Sequence, residues 1–340
     1  MTLSGTIGKR RLGQLLSTLI SDGYEVFGPT KKEMENVFSK IDSAEQLSMG
    51  YTSTILPPKK FLLPPSETIL RQERSRQNAV GEEKTASKQV IFGIHSCDVN
   101  GLLFLDKVFL GDFPEPTYRA RRENTLLIAL SCTDVGDACF CNSLDTGPSP
   151  KGGFDLLLTD IGDRYLVETG SNAGERLMKK IPIDVAAPND FKAKQATLEN
   201  ARAKFKKSVE TNRLPEIVEK SLQHPVWAKL GDICLACGSC AIVCPTCYCF
   251  DVRDTVDLRL ENSERLREWD ECLLLEFSEV AMGGNFRRDR SARIRQFMCH
   301  NLSYGIAQYG DRKCVGCGRC IRACPVRIDI TEAAKELRGG

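Results

Sequence analysis

Residues 234–245, with the sequence CLACGSCAIVCP, decide the organisation of the chain. Its four cysteines are Cys234, Cys237, Cys240 and Cys244. A second copy, CVGCGRCIRACP at residues 314–325, carries Cys314, Cys317, Cys320 and Cys324. Both copies have the spacing C-x2-C-x2-C-x3-C-P, which bacterial ferredoxins use to hold [4Fe–4S] clusters. The sequence therefore predicts two such clusters.

The spacing also predicts which cysteines share a cluster. Two-residue gaps let one tight loop wrap three corners of a cubane, while the fourth cysteine points toward the other cluster. We therefore expect crossed ligation. One cluster would be held by Cys234, Cys237, Cys240 and Cys324, and the other by Cys314, Cys317, Cys320 and Cys244.

Two other uses of these cysteines compete with this interpretation. A pair of structural zinc sites would need four closed tetrahedral ligands each, and such motifs rarely add x3-C-P to three cysteines spaced two apart. A disulfide framework is typical of small secreted domains, which a chain of 340 residues is not. The cluster interpretation is favoured over both.

Length and composition indicate an ordinary globular protein with unusual cysteine content. The 340 residues suit two domains, and 41% hydrophobic residues can form a sizeable core. A net charge of +2 gives no indication of binding to nucleic acid or an anionic membrane. Sixteen cysteines with cluster spacing imply a reducing compartment and an anaerobic or oxygen-protected setting.

The N-terminal segment predicts a helix of the mature protein. Apolar residues at 12, 15, 16, 19 and 20 form one face of an amphipathic helix over residues 10–21, which is unlike a signal peptide. No apolar run approaches the roughly 18 residues needed to span a bilayer. We expect a cytoplasmic location.

The next part of the chain alternates between strand and helix signals. Residues 90–94 and 125–130 are apolar runs, with helical periodicity between them over residues 101–110, and this order is typical of a parallel sheet. Residues 154–159 and 164–168 are typical of a β-hairpin, followed by helices at 171–181 and 197–222. A helix is expected to start at Ser66, and the polar segment centred on Gly81 to be a loop.

These signals predict the fold class and its division. We expect an α+β protein in which an N-terminal α/β domain, residues 1–222, has a mostly parallel sheet. Residues 223–340 would form a helical two-[4Fe–4S] ferredoxin-like domain, with helical patterning from Phe250 to Lys313 between the two motifs.

The N-terminal half also contains four cysteines whose positions favour a metal site. Cys97 and Cys132 follow the two apolar runs, where ligands bind in open α/β sheets, and Cys139 and Cys141 come soon after. We predict a third cluster at Cys97, Cys132, Cys139 and Cys141. The alternative is that these residues are ordinary buried cysteines, which pack as small apolar side chains.

The remaining cysteines are Cys247, Cys249, Cys272 and Cys299. They either form a further metal site, for which Cys247, Cys249 and Cys272 are candidates, or shield and hydrogen-bond the first two clusters. The second interpretation is preferred.

No G-x-G-x-x-G and no P-loop occurs, so the chain shows no nucleotide site of its own. Five arginines in residues 285–295 make either a docking surface for an acidic partner or a solvated helix face.

Several segments together resemble a known family. They are IHSCD at 94–98, CFC at 139–141 with Gly147-Pro148, HPVW at 224–227, the CPTCYCFDV continuation of the first motif, WDEC at 269–272, GNFR at 284–287 and the second motif. The chain is similar to the iron–sulfur subunit that anaerobic sulfite reductases share with cytoplasmic sulfhydrogenases, in which it is the beta subunit. The resemblance implies a partner with flavin and a pyridine-nucleotide site, and a further catalytic component.

We therefore predict a non-catalytic electron-transfer subunit of a soluble multi-subunit oxidoreductase. It would relay single electrons between a flavin/NAD(P)-binding subunit and a catalytic redox subunit of sulfite reductase, hydrogenase or heterodisulfide reductase type. One alternative is a self-contained reductase that binds substrate at an open N-terminal cluster. Another is an assembly protein whose clusters are structural.

Overall fold

Three sheets are present in the part of the chain that the computed structural model describes, residues 3–73 and 86–339. The strands are β1 (Ser4–Gly8), β2 (Glu25–Lys32), β3 (Glu35–Lys40), β4 (Ser66–Glu73), β5 (Gln89–His95), β6 (Thr125–Leu130), β7 (Leu156–Asp160), β8 (Arg164–Thr169), β9 (Asp184–Val185), β10 (Phe250–Val256), β11 (Asn262–Trp269), β12 (Glu279–Val280) and β13 (Gly284–Asn285). The largest sheet has the order β3-β2-β5-β6-β7-β8-β1-β9. The others are β10-β11-β4 and the pair β12-β13.

Helices cover the large sheet and form most of the C-terminal core. They are α1 (Leu12–Ser21), α2 (Ser96–Phe109), α3 (Pro116–Glu123), α4 (Asn172–Met178), α5 (Pro188–Ala203), α6 (Leu214–Lys220), α7 (Val226–Ile233), α8 (Ser239–Ile242), α9 (Arg290–Cys299), α10 (Gly305–Tyr309), α11 (Arg319–Ala323) and α12 (Ile330–Leu337). α1 confirms the predicted N-terminal helix. Within the described ranges, none of the helices has the length and apolar character needed to cross a bilayer.

The centre of the large sheet is parallel. β2, β5, β6 and β7 pair in parallel with one another. Every residue of β5 is buried, which is the pattern of a strand covered on both faces. The predicted order of strand, helix and strand over residues 90–130 is confirmed, since α2 follows β5 and precedes β6. This order brings the ends of β5 and β6, with their cysteines, to one edge of the sheet.

The outer strands of the large sheet are antiparallel. β3 pairs with β2, and β8 links β7 to β1, which in turn pairs with β9. The mixed α and β class is confirmed, but the prediction of a mostly parallel sheet holds only for the central strands. The short turn at residues 161–163 makes β7 and β8 antiparallel, because parallel neighbours need a longer crossover.

The segment between the two cysteine motifs is only partly helical. Residues 250–269 form the antiparallel pair β10 and β11, so the helical prediction is wrong there, as it is for β4 at Ser66. Cross-strand contacts hold this sheet: Arg265 binds Asp254 at 2.7 Å. Helix begins at α9 and continues through a π-helical turn (His300–Tyr304) into α10. The predicted loop centred on Gly81 lies outside the described residues.

Two clusters of buried apolar side chains form the cores. One surrounds the large sheet and includes Ile91, and the other lies among the C-terminal helices and includes Trp227. The second core also contains Phe140 and Leu144 from the N-terminal half, and Leu214 from α6. The predicted division after residue 222 stays a prediction.

We predict that Glu67→Leu lowers the free energy of unfolding by about 3–5 kcal/mol, because the buried Arg267 guanidinium keeps only the longer pair with Glu115, at 3.4 Å. Glu67 on β4 and Arg267 on β11 each have only 5% of the side chain exposed. Arg121 of α3 contacts the other Glu67 oxygen. Denaturant unfolding under anaerobic conditions measures the change.

The matched control is Glu264→Leu in the same sheet. Glu264 pairs with Arg71 at 2.8 Å, with side chains 34% and 48% exposed. Exposed pairs contribute about 0–1 kcal/mol, so a small loss is expected. Equal losses for the two variants would contradict the importance of the buried pair.

Candidate metal centre

Each cysteine motif folds as a tight loop followed by a short helix, α8 in the first and α11 in the second. Ala236 and Gly238 of the first loop have φ of 51° and 75°. Gly316 and Gly318, at the equivalent positions of the second loop, have φ of 65° and 70°. These left-handed positions turn the backbone sharply, so both loops can present three cysteines to one cavity.

Eight cysteines of the motifs line two cavities. The first thiol set is Cys234, Cys237, Cys240 and Cys324, which line one cavity. The second thiol set is Cys244, Cys314, Cys317 and Cys320, which line the other. In each set, three cysteines of one motif meet the last cysteine of the other. Cys320 lines both cavities, so the two sets are adjacent.

The surroundings of these thiols suit iron–sulfur ligation. Backbone amides donate to sulfur, from Ala236 to Cys234 at 3.4 Å and from Ile328 to Cys324 at 3.2 Å, as in sites that tune cluster potentials. Burial raises the pKa of Cys317 to about 12, so this thiol keeps its proton unless a metal displaces it. Among residues 3–73 and 86–339, no three His, Cys, Asp or Glu side chains are placed to hold one single metal ion.

The four predicted N-terminal cysteines lie together. This N-terminal thiol set is Cys97, Cys132, Cys139 and Cys141. Burial raises the pKa of all four, and neighbouring thiols of the set raise it further for Cys97, Cys132 and Cys141. A Cβ at Gly147 would lie 2.4 Å from the Cys141 sulfur, so the loop needs glycine there. The N-terminal set is thus a group of mutually close thiols, of which Cys141 is buried and the other three are partly buried.

The loop that carries Cys139 and Cys141 packs directly on the second cysteine motif. The Phe140 amide donates to the Gly316 carbonyl at 2.8 Å, and the Cys139 sulfur is 3.7 Å from the Cys317 carbonyl oxygen. A Cβ at Gly316 would lie 2.6 Å from the Cys141 backbone. The N-terminal set and the second set therefore face each other across a close backbone contact, which a side chain at residue 316 would prevent.

A buried ion pair spans the same contact. Arg319, which lies between Cys317 and Cys320, donates to both carboxylate oxygens of Asp98 at 2.6 and 2.7 Å. Its Nε also donates to the Thr54 carbonyl at 3.0 Å. The side chains of Arg319 and Asp98 are 3% and 1% exposed. Such a bidentate pair fixes orientation as well as distance.

The other candidate cysteines divide into a group and a single residue. Cys247 and Cys249 lie two residues apart, and the Asp270 amide donates to the Cys249 carbonyl at 3.2 Å, which brings Cys272 near both of them. Cys299 is fully buried in the C-terminal core, where its thiol contacts Tyr304. Of the last four cysteines, only the first three are brought together.

Sequence reasoning missed the charged residues around these thiols. Asp98 follows Cys97 and Arg319 lies inside the second motif, so adjacency to predicted ligands was the available signal. Lys59 and Lys313 are 2% and 3% exposed and lie beside Cys247. Nothing in the local sequence indicated that Lys59, which lies 188 residues from Cys247, would reach it.

Two comparisons with known proteins agree with this geometry. Residues 233–328 match the model of the 4Fe-4S dicluster domain. The chain is 38% identical over 319 residues to sulfhydrogenase 2 subunit beta of Pyrococcus furiosus, across 93% of this chain and 92% of that protein. The resemblance predicted from the motifs is confirmed, and it extends over nearly the whole length. The chain therefore belongs to the sulfhydrogenase beta subunit family, whose C-terminal region here is a 4Fe-4S dicluster domain.

Proposed function

We propose that this chain is the electron-transfer subunit of a soluble cytoplasmic oxidoreductase complex. It would relay single electrons between a flavin/NAD(P)-binding subunit and a catalytic redox subunit of hydrogenase, sulfite reductase or heterodisulfide reductase type. The observation that carries the proposal is the continuous row of three thiol sets. The N-terminal set contacts the second set, and the second set shares Cys320 with the cavity of the first.

The ligand assignment within this row rests on the two cavities. Each contains three cysteines of one motif and the last cysteine of the other, which is the grouping that crossed ligation requires. When bound, each cluster would supply a one-electron carrier. The chain's own residues hold the carriers in sequence, and Arg319 and Asp98 fix the distance between the second set and the N-terminal set. Three [4Fe–4S] clusters are part of the proposal.

The exposed end of the row supports docking of a redox partner. Cys237 is exposed, whereas Cys314 of the second set is buried. Leu235 is 57% exposed beside Cys237, and Ile233 is 48% exposed. Arg290 is exposed on this face and donates to the Cys234 carbonyl at 2.9 Å. A partner with an apolar centre and an acidic rim fits this surface.

We predict that Cys244→Ala and Cys324→Ala damage different clusters. In each variant, the damaged cluster is the one whose other three ligands come from the other cysteine motif. Cys244→Ala should remove the cluster of the second set, and Cys324→Ala that of the first. EPR spectra of the reduced protein, recorded with a water-soluble paramagnetic relaxing agent, distinguish the two. The cluster next to exposed Cys237 is the one whose relaxation the agent accelerates.

Each variant is the control for the other. Loss of the agent-sensitive signal in Cys324→Ala, and of the shielded signal in Cys244→Ala, is the expected pattern. The reverse pattern would show that each motif holds its own cluster with all four of its cysteines.

We predict that Cys141→Ala removes about four iron atoms and one EPR signal, because it deletes one ligand of a third cluster. Iron and acid-labile sulfide per chain measure the change in anaerobically purified protein. Cys299→Ala is the control, since it removes a buried thiol that lies apart from the thiol sets. Unchanged iron content in a folded Cys141→Ala protein would mean that the N-terminal thiols are packing residues.

We predict that Leu235→Glu weakens binding of the partner subunit by about tenfold or more, since burying an unpaired charge costs about 1–3 kcal/mol. The measurement is the amount of flavin that copurifies with a tagged chain from its own cells. Leu258→Glu is the control, because Leu258 is fully exposed beyond strand β10. Equal flavin recovery from both variants, with unchanged iron content, would place the partner elsewhere.

A further inference from the structure

We propose that Cys247, Cys249 and Cys272 bind an additional iron–sulfur cluster, separate from the three in the row. We call these residues the lysine-flanked thiol set. The proposal goes beyond the relay function and does not depend on the N-terminal set. It rests on three observations: the grouping of the thiols, two buried lysines and a buried carboxylate.

The first observation is that residues from two segments bring three thiols together. Cys247 and Cys249 follow the last cysteine of the first motif, and Cys272 comes after strand β11. The Asp270 amide donates to the Cys249 carbonyl at 3.2 Å, which brings the segment that carries Cys272 beside Cys247 and Cys249. Cys247 and Cys272 are 7% and 5% exposed. Thiolate ligands are the ones that iron–sulfur clusters use.

The second observation is that two ammonium groups are buried beside these thiols. Lys59 is 2% exposed, and its Nζ donates to the Cys247 carbonyl at 2.7 Å and lies 4.4 Å from the Trp269 ring centroid. Lys313 is 3% exposed, and its Nζ is 3.0 Å from Nδ1 of His300.

Within the described ranges, neither lysine forms an ion pair with a carboxylate. Burying an unpaired ammonium group costs several kcal/mol, so the two lysines require a negative charge close by. Both lysines lie near Cys247 and Cys249, and Lys59 also lies near Cys244 of the second set. Thiolates bound to a cluster at either place would supply the negative charge. The two lysines therefore indicate anionic groups in this region.

The third observation is a buried carboxylate at the same place. Glu271 is 5% exposed, and among the residues that the structure describes its Oε2 has no hydrogen-bond partner. The side chain lies between Cys247 and the first cysteine loop, where Gly238 leaves room for it. A carboxylate oxygen without a partner is costly unless it binds a cation. Glu271 is thus a further oxygen donor for an iron that three thiolates leave incomplete.

The class of cofactor follows from the donor set. No three side chains of the described residues are placed around a single ion, and this holds for the two motif sets as well. A multinuclear iron–sulfur cluster, which spreads its thiolate ligands over several irons, fits better than one zinc ion. Lys59 also faces Cys244, so this cluster would stand beside the second set.

The test is the iron and acid-labile sulfide content of the full chain, purified anaerobically, with Cys272→Ala and Cys249→Ala. Parent protein should contain about sixteen iron atoms if the N-terminal set also binds a cluster, and about twelve if it does not. Both variants should lose about four of these and one EPR signal, while the signals of the first and second sets persist. Cys299→Ala, which removes another buried thiol, should lose none.

The outcomes separate this proposal from the proposed function. If iron falls in Cys141→Ala but not in Cys249→Ala or Cys272→Ala, the lysine-flanked set holds no cluster and the relay stands. If the pattern is the opposite, this site stands and the N-terminal cluster does not. A parent protein with about eight iron atoms overturns both. Zinc lost from Cys249→Ala in place of iron also overturns this proposal.

A second readout does not depend on removing a ligand. Lys313→Met deletes a positive charge beside the lysine-flanked set, so the midpoint potential of its cluster should become more negative. Lys60→Met is the control, because Lys60 donates to the Phe38 carbonyl instead. Redox titrations in which Lys313→Met shifts no potential, or only the potential of the second set next to Cys314, would overturn the proposal.

Discussion

Arg319 and Asp98 form the buried ion pair on which the relation between the two halves of the molecule depends. Arg319 belongs to the second cysteine motif, and Asp98 is the neighbour of Cys97 at the start of α2. Because a lone charge at this depth would be strongly destabilising, the pair tolerates only one arrangement of the motif against the sheet. The close backbone contact at Gly316 and Gly318 requires the same arrangement. The N-terminal and second thiol sets are therefore held at a constant separation.

A constant separation is what a chain of one-electron carriers requires. The thiol sets lie where the edge of the parallel part of the sheet, a loop and the two ferredoxin motifs meet. In each of these places the backbone fixes the positions of the cysteines. The second set and the N-terminal set each have one buried and three partly buried cysteines, whereas Cys237 of the first set is exposed at one end. An exposed end suits transfer to a protein partner better than reaction with a small substrate inside the chain.

Local patterns predicted those parts of the fold that local interactions determine. The apolar runs of β5 and β6, the β7–β8 hairpin and α1 follow from periodicity and short turns. The helical prediction fails at strands β4 and β11 because these strands depend on distant partners: Glu67 pairs with Arg267, which lies 200 residues away. It also fails at β10, which pairs with β11, the next strand in the sequence. Cysteine spacing predicted both ferredoxin loops, since each loop is local. Lys59, Lys313 and Glu271 reach their thiols only through the tertiary fold, so spacing gave no sign of them.

The EPR spectrum of the fully reduced, anaerobically purified chain tests the proposed row of three cluster sites most directly, because adjacent paramagnetic clusters couple magnetically. Three clusters in one continuous row should give a broadened, split spectrum that simplifies when the N-terminal ligands are removed. A spectrum equal to the sum of isolated clusters, unchanged by that removal, would contradict it.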